Sequence, residues 1–183
     1  PGYLLKAYLQ DQKNKAGRMF APNSFFTWTQ VGPEPGQVGN YGSVGGRMTG
    51  VVVDPSNTNI IYVSAADGGV WKTTDGGTVW TPLTDYQASL ASGCITLDPS
   101  NPNVLYYGTG EPYFSVDAYG GVGLLKSTDG GASWFPSGLA NETRIPFIAI
   151  DPTNTSTVFA SAIGGIYRST NAVIAPQLVR DLS

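Results

Sequence analysis

A short phrase in the first half of this chain returns, almost unchanged, further along. Residues 68–80 read GGVWKTTDGGTVW, and residues 121–134 read GVGLLKSTDGGASW. Asp-Pro pairs open three segments as well, at Asp54, Asp98 and Asp151, which lie 44 and 53 residues apart. A repeat of roughly 40–50 residues built from short apolar runs is typical of one blade of a β-propeller.

Each repeat reads as four strands. In the first repeat, a β-branched apolar run, RMTGVVVD, fits a buried inner strand. The stretch PSNTN that follows has the composition of a β-turn. Two further strands, IIYVSAA and GVWKTT, are followed by a tight Asp-Gly-Gly reversal and an outer strand, TVWTPL. The sequence therefore predicts an all-β fold made of four-stranded blades.

Composition supports this fold class and excludes several functions. Charged residues are only 13% of the chain, which holds 24 Gly and 13 Pro, a composition typical of turn-rich β-proteins. A net charge of −3 argues against a nucleic-acid partner, which requires a basic face. The chain has no His, so catalytic sites that need one are excluded, and no apolar run approaches the ~20 residues of a membrane helix.

The repeats divide the chain and leave a ring incomplete. We expect the following organisation: a short N-terminal helix and linker (1–24), a ring-closing strand and loop (25–46), blade 1 (47–84), blade 2 (92–137), part of blade 3 (144–171) and a non-repeat tail (172–183). A propeller ring closes with about 4–8 blades. We therefore expect a protein partner, or the missing remainder of a longer chain, to complete the ring.

The two repeated phrases resemble the Asp-box, S/T-x-D-x-G-x-T/S-W. The matching residues are Thr73, Asp75, Gly77 and Trp80 in the first hairpin and Ser127, Asp129, Gly131 and Trp134 in the second. Val79 stands where the motif has Thr or Ser. We expect the Asp side chains to accept backbone N–H bonds across the turn and the Trp side chains to be buried, so that these residues are structural.

Propellers of the Asp-box, or BNR-like, group include sialidases, xyloglucan-cleaving glycosidases, the sortilin ectodomain and a photosystem assembly factor. The chain is also similar to a set of secreted bacterial proteins in the phrases VDPSNTNIIYVSAADGGVWKTTDGG and YGGVGLLKSTDGGASW. The resemblance implies a propeller fold. It also implies a location outside the cytoplasm: extracellular, on the cell surface or periplasmic.

One loop, residues 108–123, concentrates the residues of a candidate binding site. Its carboxylates are Glu111 and Asp117, and its aromatic residues are Tyr113, Phe114 and Tyr119. Paired carboxylates and aromatic rings are what a glycan site uses, as acids and as stacking platforms. The two carboxylates and nearby carbonyls are also a weak candidate for Ca²⁺, although no metal-binding motif is present and we expect no cofactor.

Three further residues are candidates because of where they lie in the repeat. The resemblance to xyloglucan-cleaving enzymes implies a catalytic Asp just before a Gly-Gly, and Asp67 in AADGG is similar, although the motif is one residue shorter. Arg47 and Arg144 both begin inner strands. They either face the central channel together as ligand-binding residues or pair with carboxylates or carbonyls.

Three functions remain open on the sequence. We expect an exported, non-enzymatic propeller module that binds a ligand or acts as a scaffold or subunit of a larger assembly. The alternative is part of a secreted glycoside hydrolase, xyloglucanase-like or sialidase-like. The third is an accessory subunit or assembly factor of a membrane complex.

Overall fold

The computed structural model of the chain describes residues 36–37, 43–44, 46–112, 118–172 and 177–179. All regular structure in this part of the chain is β-strand. The predicted N-terminal helix, within residues 1–24, and the predicted ring-closing strand that begins at Phe25 lie outside the described residues. No helix within the described residues has the length and hydropathy needed to span a bilayer.

The strands follow the repeat. They are β1 (Gly36–Gln37), β2 (Ser43–Val44), β3 (Met48–Val53), β4 (Ile61–Ala65), β5 (Gly69–Thr73), β6 (Thr81–Pro82), β7 (Ser92–Leu97), β8 (Leu105–Thr109), β9 (Leu124–Ser127), β10 (Phe135–Pro136), β11 (Phe147–Ile150), β12 (Val158–Ala162), β13 (Gly165–Ser169) and β14 (Gln177–Val179). Strands β3–β6, β7–β10 and β11–β14 form three four-stranded antiparallel sheets, which we call sheets 1, 2 and 3. Strands β1 and β2 pair with each other. The predicted all-β class with four-stranded, blade-like sheets is confirmed.

The outer strand of sheet 3 differs from the sequence prediction. The sequence predicted a partial third unit that ends near Asn171, followed by a non-repeat tail. In the structure β14, from that tail, pairs with β13, with Leu178 opposite Tyr167. Strand pairing uses backbone N–H and C=O groups, so a fourth strand can add to an edge without the Gly and Trp of the other hairpins.

The three sheets share one pairing register. In sheet 1 the register places two rows of side chains on opposite faces: Val51, Val63 and Trp71 on what we call the front face, and Val52, Tyr62 and Lys72 on the rear face. The front rows of sheets 2 and 3 are Ile95, Tyr107, Leu125 and Ile148, Ala160, Tyr167. Their rear rows are Thr96, Tyr106, Lys126 and Ala149, Phe159, Arg168.

The sheets pack front to rear. The front face of sheet 2 buries Ile95, Tyr107 and Leu125 against Tyr62 and Val70 of sheet 1. The front face of sheet 3 packs in turn on the rear face of sheet 2, in a second apolar cluster. Sheet 2 is therefore covered on both faces, and its strand β8 is buried at every position.

A single cysteine lies at the second of these junctions. Cys94 is buried, and its Sγ donates a hydrogen bond to the Ile145 carbonyl at 3.3 Å. Burial raises the pKa of this thiol to about 12, so the group stays neutral at physiological pH. Its neighbour Gly93 allows the close approach, since a Cβ there would lie 2.2 Å from the Ile145 carbonyl oxygen. Cys94 is a packing residue.

Candidate functional site

Each sheet has two ends with different connections. The β3–β4 and β5–β6 turns of sheet 1 lie at one end, where the Gly76 N–H donates to the Asn59 carbonyl at 3.0 Å. In sheet 2 the Gly130 N–H donates to the Asn103 carbonyl at 2.9 Å in the same way. We call this the hairpin end. The opposite, loop end carries the β4–β5 turn, the connection between β6 and β7, and the β8–β9 loop.

The hairpin of sheet 2 is pinned by one carboxylate. Asp129 accepts hydrogen bonds from the Ser127 hydroxyl at 2.8 Å and from both the hydroxyl and the N–H of Ser133, the latter at 2.9 Å. The Ser127 hydroxyl oxygen accepts the Gly131 N–H at 2.8 Å. These bonds, led by that of the Ser133 hydroxyl, lower the pKa of Asp129 to about 2. Trp134 is buried, edge-on to the Tyr107 ring.

The hairpin of sheet 1 has a similar arrangement with one donor exchanged: the N–H of Thr78 takes the place of the second side-chain hydroxyl. Asp75 accepts the Thr73 hydroxyl at 2.7 Å and the N–H groups of Thr78 and Val79 at 2.9 and 3.0 Å. The Val79 N–H is the largest of the contacts that lower the pKa of this carboxyl. Val79 has no hydroxyl to reach the second carboxylate oxygen. Trp80 donates its indole N–H to the Gly77 carbonyl at 3.0 Å.

The third hairpin keeps the turn without the carboxylate. The Ser169 hydroxyl and the Asn171 side-chain oxygen lie 2.9 Å apart in a hydrogen bond. Ala172 has a φ of 54°, close to the 68° of the equivalent Gly130. At the hairpin end, therefore, the side chains close turns, and the carboxylates there are already occupied by local donors.

The loop end holds an ion pair between sheets 1 and 2. Glu111 follows β8 and is fully buried, and its carboxylate pairs with the guanidinium of Arg47, which precedes β3 and is partly exposed. Burying a carboxylate is costly unless a cation and hydrogen bonds compensate it. The Glu111 N–H donates to the Tyr119 carbonyl at 3.0 Å, and the Tyr119 N–H approaches the Glu111 carboxylate at 3.4 Å. Glu111 therefore ties the base of the β8–β9 loop to sheet 1.

The same loop is held from the side of sheet 3. The Arg144 guanidinium donates to the Ala118 carbonyl at 3.5 Å, and the Gly121 N–H donates to the Thr143 carbonyl at 2.7 Å. Arg47 and Arg144 thus contact a carboxylate and a carbonyl, the second of the two arrangements considered from the sequence. Gly110 permits this closeness, because it has a φ of +86° and a Cβ there would lie 1.8 Å from the Thr143 carbonyl oxygen.

The remaining candidate residues differ in their location and exposure. Asp67 is exposed in the β4–β5 turn, beside Ala66, whose N–H donates to the Arg47 carbonyl at 2.8 Å. The Tyr119 side chain is exposed on the β8–β9 loop. Tyr113, Phe114 and Asp117 lie outside the described residues. The structure therefore places Asp67 and the Arg47–Glu111 pair at the same end of the sheets, the loop end. The carboxylate pair of Glu111 and Asp117 stays a prediction.

Within residues 46–112 and 118–172, no group of three His, Cys, Asp or Glu side chains could hold a metal ion. The Ca²⁺ site considered from the sequence depends on Asp117, which those ranges do not include.

Sequence reasoning missed a polar contact that both sheet junctions share. Lys72 and the Tyr62 hydroxyl of sheet 1 both donate to the Gly130 carbonyl of sheet 2, at 3.2 and 3.3 Å. Lys126 and the Tyr106 hydroxyl of sheet 2 donate in turn to a turn carbonyl of sheet 3, at 3.0 and 3.2 Å. Each Lys also lies 5.1 Å from the centre of the Tyr ring beside it. The sequence could have indicated this contact, because a Lys or Arg directly precedes the Ser or Thr that begins the hairpin motif of every repeat.

Comparison with known proteins gives xyloglucanases among the relatives. No protein-family profile matches the chain. A probable oligoxyloglucan-reducing end-specific xyloglucanase of Neosartorya fischeri is 24% identical in an alignment of 186 positions, gaps included, that covers 69% of this chain and 23% of that protein. A xyloglucanase of Paenibacillus sp. is 24% identical over 82% of this chain and 15% of that protein. A xyloglucanase of Hypocrea jecorina is 42% identical over 67 residues, 33% of this chain and 8% of that protein.

Solved structures with the same fold are propellers. An ancestral GH74 enzyme superposes with a TM-score of 0.61 and 24% identity, over 75% of this chain and 19% of that one. YCF48 from Cyanidioschyzon merolae superposes with a TM-score of 0.53 and 19% identity, over 83% of this chain and 40% of that one. At these identities the likeness shows the fold alone, a β-propeller arc. The chain spans less than a quarter of the length of the xyloglucanases named above.

Proposed function

We propose that the chain is an arc of a xyloglucanase-like propeller that binds and cleaves a β-glucan at its loop end. The observation that carries this proposal is that relatives aligned over two thirds or more of the chain are named xyloglucanases. This supports the glycoside hydrolase alternative better than the non-enzymatic binding or scaffold module that the sequence favoured. We further propose that the hairpins belong to the Asp-box group, since both carboxylates bond to their turns as that motif requires.

Asp67 is the residue that we propose as a catalytic carboxylate. It is exposed at the loop end and directly precedes Gly68 and Gly69, which is the position implied by the resemblance to xyloglucan-cleaving enzymes. Glycoside hydrolysis ordinarily requires two carboxylates that flank the scissile bond, one of them acting as a general acid. The partner of Asp67 would therefore be a second carboxylate across the bound sugar chain.

Glu111 does not suit that second role. It is fully buried, and its charge is neutralised by Arg47. We propose instead that Glu111 is a positioning residue that fixes the β8–β9 loop over the loop end. The exposed Tyr119 ring on that loop would then offer an apolar platform for a sugar ring. A protein that cleaves a polysaccharide meets its substrate outside the cytoplasm, so the proposal includes export.

The test is hydrolysis of xyloglucan by the native polypeptide, followed as new reducing ends. Asp67→Asn should lower kcat by about 10²–10⁴-fold, because that is what a positioned acid or base contributes. The matched control is Asp85→Asn, another exposed Asp, in the β6–β7 connection of the same end, which should leave turnover unchanged. Equal turnover in all three proteins would exclude Asp67, and saturable xyloglucan binding without any turnover would favour the non-enzymatic module.

A further inference from the structure

Two aromatic side chains are exposed on neighbouring connections at the loop end. Tyr86, in the β6–β7 connection, is fully exposed, and Tyr119, in the β8–β9 loop, is 64% exposed. An aromatic ring that stays in water forgoes the free energy that its burial would contribute. Single exposed apolar residues are common on protein surfaces, so the case for these two depends on how the backbone beneath each ring is held.

The backbone under Tyr86 is anchored on a buried threonine. Thr84 is 1% exposed, and its hydroxyl oxygen accepts the Val70 N–H of sheet 1 at 2.8 Å. The Thr84 carbonyl accepts the Gln87 N–H at 2.9 Å, which closes a turn that contains Tyr86. The turn therefore presents the Tyr86 ring to solvent from a fixed base.

The backbone under Tyr119 is anchored on a buried carboxylate. The Tyr119 carbonyl accepts the Glu111 N–H at 3.0 Å, and the Tyr119 N–H approaches the Glu111 carboxylate at 3.4 Å. Glu111 is itself fully buried and paired with Arg47. The Tyr119 ring is thus also presented from a fixed base, and a site held in advance loses less conformational entropy when a ligand binds.

The two anchored segments contact each other. The Ser89 hydroxyl of the β6–β7 connection donates to the Gly120 carbonyl of the β8–β9 loop at 3.4 Å. Tyr86 precedes Ser89 by three residues, and Tyr119 directly precedes Gly120. Because one residue spans at most about 3.6 Å along the chain, the Cα atoms of the two tyrosines lie within about 25 Å of each other. An oligosaccharide of several sugars can span that distance.

The connection that carries Tyr86 also contacts the turn that holds Asp67. The Leu90 carbonyl, near the end of this connection, accepts the Gly69 N–H of the β4–β5 turn at 2.9 Å. The connection therefore bonds to the turn of the candidate catalytic carboxylate and to the loop of Tyr119. The two exposed rings and Asp67 belong to one continuous set of loop-end segments.

We propose that Tyr86 and Tyr119 are two stacking platforms that bind different sugar residues of one β-glucan chain, so that the loop end selects long chains over short ones. This inference rests on the proposed function, which supplies the class of ligand. A tyrosine suits both parts of a sugar, because its ring offers an apolar face and its hydroxyl a hydrogen-bonding group.

The experiment is calorimetric titration with cellobiose and with cellohexaose of the native polypeptide carrying Asp67→Asn, so that hydrolysis does not consume the ligand. This protein should bind cellohexaose more tightly, because only the longer chain reaches both rings. Tyr86→Ala and Tyr119→Ala should each weaken the binding of cellohexaose about tenfold, the scale of one stacking contact, and that of cellobiose by less than about twofold. Cellobiose loses less because one ring remains for it in each variant.

Two further variants separate stacking from a structural effect. Tyr86→Phe keeps the ring and should keep the affinity for cellohexaose. The matched control is Phe135→Ala, which removes an exposed aromatic ring from the outer strand β10 and should leave the binding of both sugars unchanged.

Four outcomes would overturn the inference. The first is no binding of either sugar, and the second is unchanged binding in both Ala variants. The third is an equal loss for cellobiose and cellohexaose, which would mean that the rings do not hold separate sugars. The fourth is a loss in Tyr86→Phe as large as that in Tyr86→Ala. Hydrolysis of xyloglucan by the unmodified polypeptide decides the proposed function separately: length-dependent binding without new reducing ends would contradict hydrolysis and leave the two platforms standing.

Discussion

The middle sheet and the two sheets beside it share one register, but in the part of the chain that the structure describes they differ in how many of their faces another sheet covers. Strand β8 of sheet 2 is buried at all positions, whereas β13 of sheet 3 alternates between partly buried and exposed. The equivalent Leu124 and Ile166 are 7% and 43% exposed. The local sequence pattern determines the strands of every repeat. How much each sheet contributes to stability then depends on whether a neighbouring sheet packs on its faces.

The largest effect expected from this difference comes from truncating the matched pair. Leu124→Ala should lower the free energy of unfolding by about 2–5 kcal/mol, because it leaves a cavity between sheets 2 and 3. Ile166→Ala removes a similar volume from an exposed face and should cost less than about 1 kcal/mol in the monomer. Urea unfolding of both variants at a concentration where the chain is monomeric measures the two values. Equal losses would mean that the rear faces of sheets 2 and 3 are packed alike.

The two carboxylate-pinned hairpins give a second comparison, with a smaller expected effect. Asp129 and Asp75 both have pKa values lowered in the folded state, that of Asp129 to about 2. A carboxyl whose pKa is lower in the folded state than in the unfolded state stabilises the fold when it is ionised. This stability is fully present above the pKa of the unfolded state, ~3.9, and is lost as the pH falls through the pKa of the folded state. The two hairpins differ in one donor: Ser133 has a side-chain hydroxyl that donates to the carboxylate, and Val79, at the equivalent position, has none.

Exchanging the residues at positions 79 and 133 should change the pKa values of Asp75 and Asp129 in opposite directions. Val79→Ser should lower the pKa of Asp75 further, and Ser133→Val should raise that of Asp129, because each change adds or removes a donor to the carboxylate. Carboxyl carbon shifts followed by NMR between pH 5 and pH 1 measure both values. If neither titration moves, the hydroxyl contributes nothing to the turn.

The fold could be read from the sequence because each blade is defined by local signals. Strand identity followed from β-branched runs, and the turns followed from Asp-Pro and Asp-Gly-Gly. The outer strand of sheet 3 could not be read, because β14 pairs through its backbone and lacks the Trp that marks the other two hairpins. The turn before β14 was also hard to predict, because Ala172 stands where the other hairpins have Gly and a left-handed conformation is uncommon for Ala.

The candidate site was only partly predictable for a different reason. The sequence marks Glu111, Arg47 and Arg144 only as separate candidates, whereas their contacts to one loop depend on how adjacent sheets align. No local pattern encodes that alignment. Asp67 was found only through its place before two glycines, and its exposure is what the structure adds.

Among the described residues, sheet 2 is covered on both faces and sheets 1 and 3 are each covered by one neighbouring sheet. Amide hydrogen exchange tests this stacking most directly. In the monomer, the amides of β8 should exchange slowest, at the rate of global unfolding, and those of β3 and β13 should exchange earlier through local opening. Uniform protection of the three sheets, or faster exchange in β8 than in β13, would contradict the stacking described above.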